Sequence, residues 1–134
     1  MLTDELRQEL IHIAVDNLGR AYAPYSNYPV SAALLTSSGQ IITGVNIENA
    51  AYPTSICAER VAVFKAVSEG ETSFKVIAVV TPNGGTPCGS CRQVLSEFGL
   101  DTIVIVANRN GNVVLETSVA ELLPGAFRPG DLAY

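Results

Sequence analysis

The sequence predicts an α/β fold in which helices cover both faces of one five-stranded mixed sheet, a three-layer α/β/α sandwich. Three observations carry this reading. Helical and β-rich patterns follow one another in the order helix, hairpin, helix, strand, helix, hairpin, helix. The run Phe74 to Thr81 is almost continuously apolar, as expected of a central strand covered on both faces. Thr102 to Ala107 and Asn112 to Thr117 are joined only by Asn108-Arg109-Asn110-Gly111, too short for a crossover helix, so the last two strands are expected to be antiparallel.

Each element has its own signal. Thr3 caps a first helix with Asp4 and Glu5 in its first turn, and Leu6, Leu10, Ile13, Ala14, Leu18 and Ala21 recur at helical spacing over about five turns. Pro24 and Pro29 then enforce an aromatic loop. Val30 to Thr36 and Gln40 to Asn46 flank Ser37-Ser38-Gly39 as a hairpin. Thr54 or Ser55 caps a second helix from about Ile56 to Glu69, stopped by Gly70. Thr86 as N-cap and Pro87 at the first helical position start a third helix that runs to Gly99. Ser118 with Glu121 reads as a capping box for a short last helix ending at Pro124-Gly125.

With 134 residues, the chain is expected to form a single domain, 1–134, with its own core. Charged residues make up only 16%, few for covering the surface of so small a domain, which points to burial against copies of itself. A net charge of −5 with eight scattered Lys and Arg argues against nucleic-acid binding. The first residues show no basic and apolar leader pattern and no apolar run approaches a membrane span. The expectation is a cytoplasmic protein with no membrane partner, and an odd count of three cysteines fits a reducing compartment.

The chemistry gathers at Cys57-Ala58-Glu59-Arg60 and Pro87-Cys88-Gly89-Ser90-Cys91-Arg92. A C-x-x-C pair alone serves redox chemistry, structural zinc or catalytic zinc. A third cysteine followed two residues later by a glutamate favours zinc, and three thiols with one distant imidazole, His12, leave a ligand position for water. Thiols in first helical turns gain from the dipole and exposed N–H groups. Three thiolates around a dication make a net negative centre, so a guanidinium beside the sulfurs is needed; Arg60 is assigned that role, and Arg92 a surface pairing with carboxylates. Glu59 stands where its carboxylate reaches a metal-bound water without binding the metal, as a general acid and base.

C-A-E-R followed by P-C-G-x-C-R-Q, together with Y-A-P-Y-S, G-x-N-I-E-N-A-A-Y and L-L-P-G-A-F, closely resembles the zinc-dependent cytidine deaminases of the small homotetrameric type. The likeness runs from Tyr22 to Phe127. It implies one Zn2+ per chain on Cys57, Cys88 and Cys91, and hydrolytic deamination of cytidine and deoxycytidine in pyrimidine salvage. Glu59 would carry protons from the metal-activated water to N3 of the pyrimidine and then to the departing amine. By the same resemblance the Ala58 N–H contacts the base, Asn46 and Glu48 bind the ribose hydroxyls, and Tyr28, where phenylalanine is usual, packs on the base. Phe127 would reach in from a neighbouring subunit, so that active sites are shared within a homotetramer. The rival substrate on the same machinery is blasticidin S.

Overall fold

The computed structural model describes residues 2–133; Met1 and Tyr134, the ends of the expected domain, lie outside the described residues. Helix α1 (Asp4–Asn17) starts where the Thr3 hydroxyl accepts the Leu6 N–H at 3.1 Å. It stops short of Ala21, residues 18–20 tightening into a 3₁₀ turn. The cause is the next segment: Tyr22 donates its N–H to Asn46 O at 3.0 Å and accepts from Glu48 N at 2.8 Å, so the chain is already extended there.

Strands β1 (Ser31–Thr36) and β2 (Ile41–Val45) form the first hairpin, α2 (Ala58–Ser68) leads to β3 (Phe74–Thr81), and α3 (Gly89–Glu97) leads to β4 (Ile103–Asn108). Strand β5 (Val113–Ser118) and helix α4 (Val119–Leu122) close the fold. The five-stranded sheet runs β2-β1-β3-β4-β5. Only β3 and β4 pair in parallel, and β4 with β5 is antiparallel as expected. Strand β3 is central, and both of its faces are covered. Val76, Ala78 and Val80 meet Leu10, Ile11 and Ala14 of α1 on one side. Ile77 and Val79 meet Ala62 and Val63 of α2 and Leu95 of α3 on the other. The two cores sandwich one sheet, which is the three-layer arrangement the alternating burial of strand residues demands. Among the described residues, no helix is long and apolar enough to cross a membrane.

Two helix starts differ from the sequence reading. Helix α2 begins at Ala58 with Cys57 as its N-cap, because Ile56 and Ile47 exchange both backbone hydrogen bonds at 3.0 Å and hold the chain extended up to that point. Thr54 and Ser55 are therefore not caps: the Thr54 hydroxyl donates to Ala51 O at 2.8 Å and the Ser55 hydroxyl accepts from Asn49 N at 3.0 Å. Helix α3 begins at Gly89 with Cys88 as its N-cap, not Thr86, and ends at Glu97. At the last helix the Ser118 hydroxyl does cap, accepting the Glu121 N–H at 3.2 Å.

One glycine sets the distance between layers at the end that matters. A Cβ on Gly44 of β2 would lie 2.5 Å from Ala58 O and 2.6 Å from Ala62 N, so the first turn of α2 lies on the sheet only because that side chain is missing. Gly44→Ala is expected to cost about 1–3 kcal/mol of stability through overpacking, read from urea unfolding of the zinc-loaded protein. A wild-type midpoint would mean that α2 can move outward freely.

Candidate metal and active site

Sheet register brings the two cysteine-bearing helix starts together. Ser31 of β1 is level with Val45 of β2 on one side and Val80 of β3 on the other. Strands β2 and β3 both run antiparallel to β1, so their C-terminal ends lie at the same edge of the sheet, and the chain leaves each of them towards a helix N-terminus. This edge, outside the carboxyl ends of the strands, is where open α/β sheets place their ligands.

At that edge the three free thiols converge. Cys57 Sγ lies 3.7 Å from Cys88 Sγ, Cys88 Sγ lies 3.5 Å from Cys91 Sγ, and all three are within 4.8 Å of one another. Two sulfurs each bound to a tetrahedral zinc at about 2.3 Å stand about 3.8 Å apart, so the cluster fits one zinc ion. Spacing explains how. Cys88 is the N-cap of α3 and Cys91 its third residue, positions that share one face of a helix. In α2 the same pair of positions holds Cys57 and Arg60, and Arg60 Nη2 donates to Cys57 Sγ at 3.4 Å. Neither N-cap cysteine caps its helix through the side chain, which leaves both sulfurs free for the metal.

The electrostatics follow from this packing. The Cys91 thiol and the Arg60 guanidinium hold the Cys57 thiol down at about 5, a thiolate at neutral pH. Proximity to that thiolate, with burial, pushes Cys91 upward in the absence of a cation, and contact with the sulfurs raises Arg60 further. Arg60 Nε is buried without a partner among the described residues. Arg92 corrects the expectation of carboxylate pairing. Its Nε donates to Pro87 O at 2.8 Å, Nη1 to Leu122 O at 2.8 Å and Nη2 to Thr86 Oγ1 at 3.2 Å. It fixes the peptide just before Cys88 and ties it to the end of α4. Sequence reasoning missed this because a half-buried Arg that serves only neutral acceptors looks, in one dimension, like any surface Arg.

Glu59, the second residue of α2, is only 4% exposed, and its Oε1 has no hydrogen-bond partner among the described residues. Burial, with the nearby Cys57 thiolate, pushes its carboxyl up to about 7. It lines a pocket of about 380 Å³ together with Cys57, Cys88, Tyr28, Asn46 and Glu48, a volume suited to a small heterocyclic ligand. Asn46 is buried and largely committed: its Oδ1 accepts Val30 N–H at 2.8 Å and its Nδ2 donates to Tyr28 O at 2.9 Å. One amide hydrogen and one lone pair remain. The Glu48 carboxylate accepts from the Tyr25 and Ser26 N–H groups at 3.0 Å each and from the Ser26 hydroxyl, and the Ser26 bonds hold it below its usual range. Ser26 is thus a positioning residue that the sequence showed only as part of Y-A-P-Y-S. Ala58 is buried at the first position of α2, where a backbone N–H has no intrahelical acceptor. Phe127 does not join this group. It is 56% exposed and does not line the pocket, and its carbonyl accepts from Gln93 Nε2 at 2.9 Å.

Arg60→Gln is expected to weaken zinc binding by about 10–100-fold, the usual loss when a partner of a metal ligand is removed, measured by competition with a chromophoric chelator. Arg92→Ala should speed zinc release in the same assay although Arg92 touches no sulfur. Arg92→Lys should not restore it, because one ammonium cannot span the three acceptors. Wild-type release rates in both would remove the role given to Arg92.

Comparison with known proteins bears on the same residues. The family model described as cytidine and deoxycytidylate deaminase zinc-binding region matches residues 4–107. A cytidine deaminase of Sporosarcina psychrophila is 53% identical over 118 residues, 86% of each chain. One from Halalkalibacterium halodurans is 49% identical over 94% of this chain and 97% of its own. A blasticidin-S deaminase of Bacillus cereus stands further off, at 32% over 87% of this chain and 88% of its own. The crystal structure of cytidine deaminase from Burkholderia pseudomallei superposes with a TM-score of 0.85 at 43% identity, covering 94% of this chain and all of that one. With a zinc-binding family model spanning both cysteine motifs and relatives alike along nearly the whole chain, the chain belongs to the cytidine and deoxycytidylate deaminase zinc-binding family.

Proposed function

We propose that this protein hydrolyses cytidine and deoxycytidine to uridine and deoxyuridine with release of ammonia. The observation that carries the reading is a buried carboxyl with an unpartnered oxygen, Glu59, beside three convergent thiols at the wall of a nucleoside-sized pocket. Zinc held by Cys57, Cys88 and Cys91 would supply a Lewis acid and an activated water at neutral pH.

Glu59 does the proton work. A carboxyl held near neutrality by burial both accepts and donates at working pH. It takes one proton from the water that attacks C4 and gives it to N3, then takes the remaining proton of the new C4 hydroxyl and gives it to the exocyclic nitrogen as C4=O forms and the C4–N bond breaks. The products are the keto pyrimidine and ammonia, and the carboxyl ends ready for the next cycle. Arg60 keeps Cys57 ionised. The Ala58 N–H addresses the base, the spare donor and acceptor of Asn46 and the Glu48 carboxylate address the ribose hydroxyls, and the Tyr28 ring packs on the pyrimidine.

Glu48 also sets the substrate class. An ionised carboxylate at the ribose end repels a phosphate there, which favours the free nucleoside over a nucleotide or polynucleotide. The exposed Phe127 ring supports an assembly in which it completes the pocket of a neighbouring copy, with four subunits sharing sites by symmetry. Reduced thiols as metal ligands suit the cytoplasm, where such an activity serves pyrimidine salvage. Blasticidin S is the weaker alternative substrate, given 32% identity to its deaminase against 53% to a cytidine deaminase.

Glu59→Gln should retain one zinc per chain and lose the fall in cytidine absorbance by a factor of about 10²–10⁴, the usual contribution of a general acid and base. Loss of zinc along with activity would make Glu59 structural instead. An internal cytosine in single-stranded DNA should remain unchanged under conditions that exhaust cytidine; measurable conversion would overturn the role given to Glu48. Mixing inactive Glu59→Gln subunits with Phe127→Ala subunits should yield activity above that of either parent, since hybrid sites regain both groups. No gain after subunit exchange would place Phe127 outside the shared site.

A further inference from the structure

The loop before β1 and the loop between β3 and α3 meet beside the pocket at a single side-chain hydrogen bond. Tyr28 Oη donates to Asn83 Oδ1 at 2.6 Å. Tyr28 is half-buried and lines the pocket, as do Gly85 and Thr86 on the facing loop. A Cβ at Gly85 would collide with the Tyr28 hydroxyl, so the loop passes the phenol this closely only because a glycine stands there.

Both ends of this contact are anchored. Behind the ring, Tyr28 O accepts from Asn46 Nδ2 at 2.9 Å and Tyr28 N–H donates to Ser26 Oγ at 3.0 Å. Across the gap, Gly85 N–H donates to Thr81 Oγ1 at 2.7 Å, and Thr81 is buried at the end of β3. The phenol therefore works as a strut of fixed length between the end of β2 and the loop that leads to Cys88.

We propose that Tyr28 and Asn83 form a latch that holds the ring and the β3–α3 loop at a fixed separation, which makes Asn83 a positioning residue for substrate binding. The substrate side of this inference rests on the nucleoside reading above; the latch itself rests on the contacts just described. A phenyl ring on this loop would also pack on a flat base, but it would have to be ordered each time a substrate arrives. A tethered phenol presents the same plane before and after binding, and such preorganisation lowers the cost of association. The benefit is the same in the ground state and the transition state, so it belongs to KM rather than kcat.

Tyr28→Phe and Asn83→Ala are each expected to raise KM for cytidine about three- to tenfold, the worth of one net hydrogen bond, with kcat and zinc content unchanged. The double variant should be no worse than either single one, and Asn83→Asp, which keeps the acceptor, should retain the wild-type KM. Gly85→Ala should raise KM in the parent and do much less in Tyr28→Phe, where the colliding oxygen is gone. A wild-type KM in Tyr28→Phe, or single effects that multiply in the double variant, would overturn the latch. Hydrogen exchange of residues 83–86 in the substrate-free, zinc-loaded protein separates this from failure of the nucleoside reading. A latch predicts faster exchange in both single variants whatever the substrate proves to be, and unchanged exchange rules it out.

Discussion

The structure depends on one requirement: three sulfurs from two helices must come within bonding distance of a single ion. A helix N-terminus meets it economically, because the N-cap residue and the third helical residue lie on one face and the cap position tolerates a side chain that points away from the helix. Cys88 and Cys91 use that pair of positions in α3, and Cys57 uses the first of them in α2. The rest of the local architecture serves the meeting of these two ends. The shared level of Val45, Ser31 and Val80 brings both chain exits to one edge. The bridge between Ile47 and Ile56 delays the start of α2 until Cys57, and Gly44 lets that start lie flat on the sheet.

Polar groups at this edge are held by neighbours with a few strong, short-range interactions. The Cys57 thiolate, at a helix N-terminus with the Arg60 guanidinium beside it, is stabilised before any cation arrives. Glu59 is the opposite case, a carboxyl two residues from a thiolate and removed from water, with an oxygen that nothing among the described residues satisfies. A stable fold rarely leaves such an atom orphaned, which is why this oxygen carries the proposed proton transfer. Two glutamates in one pocket thus have opposite tendencies, Glu59 towards the protonated form and Glu48 towards the ionised one, because one is buried and the other is surrounded by donors.

Much of this was legible in the sequence. The continuous apolar run of β3, the short β4–β5 connection and the helix periodicities fix the layers and most of the pairing, since each is a local signal. The convergence of Cys57, Cys88 and Cys91 and the place of Glu59 beside them were legible because their spacing matters chemically. What was not legible is non-local. Thr54 and Thr86 look like good N-caps, yet the helices start later because Ile56 is held in a bridge by Ile47 and because the backbone stays extended through Cys88. The close approach at Gly44 and the neutral acceptors of Arg92 involve partners as far as thirty residues away, and no periodicity records them. Phe127 was legible as a member of a motif, while its position outside the pocket of its own chain became visible only in three dimensions.

The matched helix starts have a consequence for how such a centre could arise or be lost. α2 and α3 present the same two positions to the metal, and they differ at the second, where α3 has Cys91 and α2 has Arg60. A thiol in place of that guanidinium would give the ion a fourth sulfur, and a metal enclosed by four sulfurs holds a fold together but has no room for water. The difference between an open centre and a closed one is then the identity of one side chain, and Arg60, which donates to Cys57 Sγ, fills the second position of α2 without adding a sulfur.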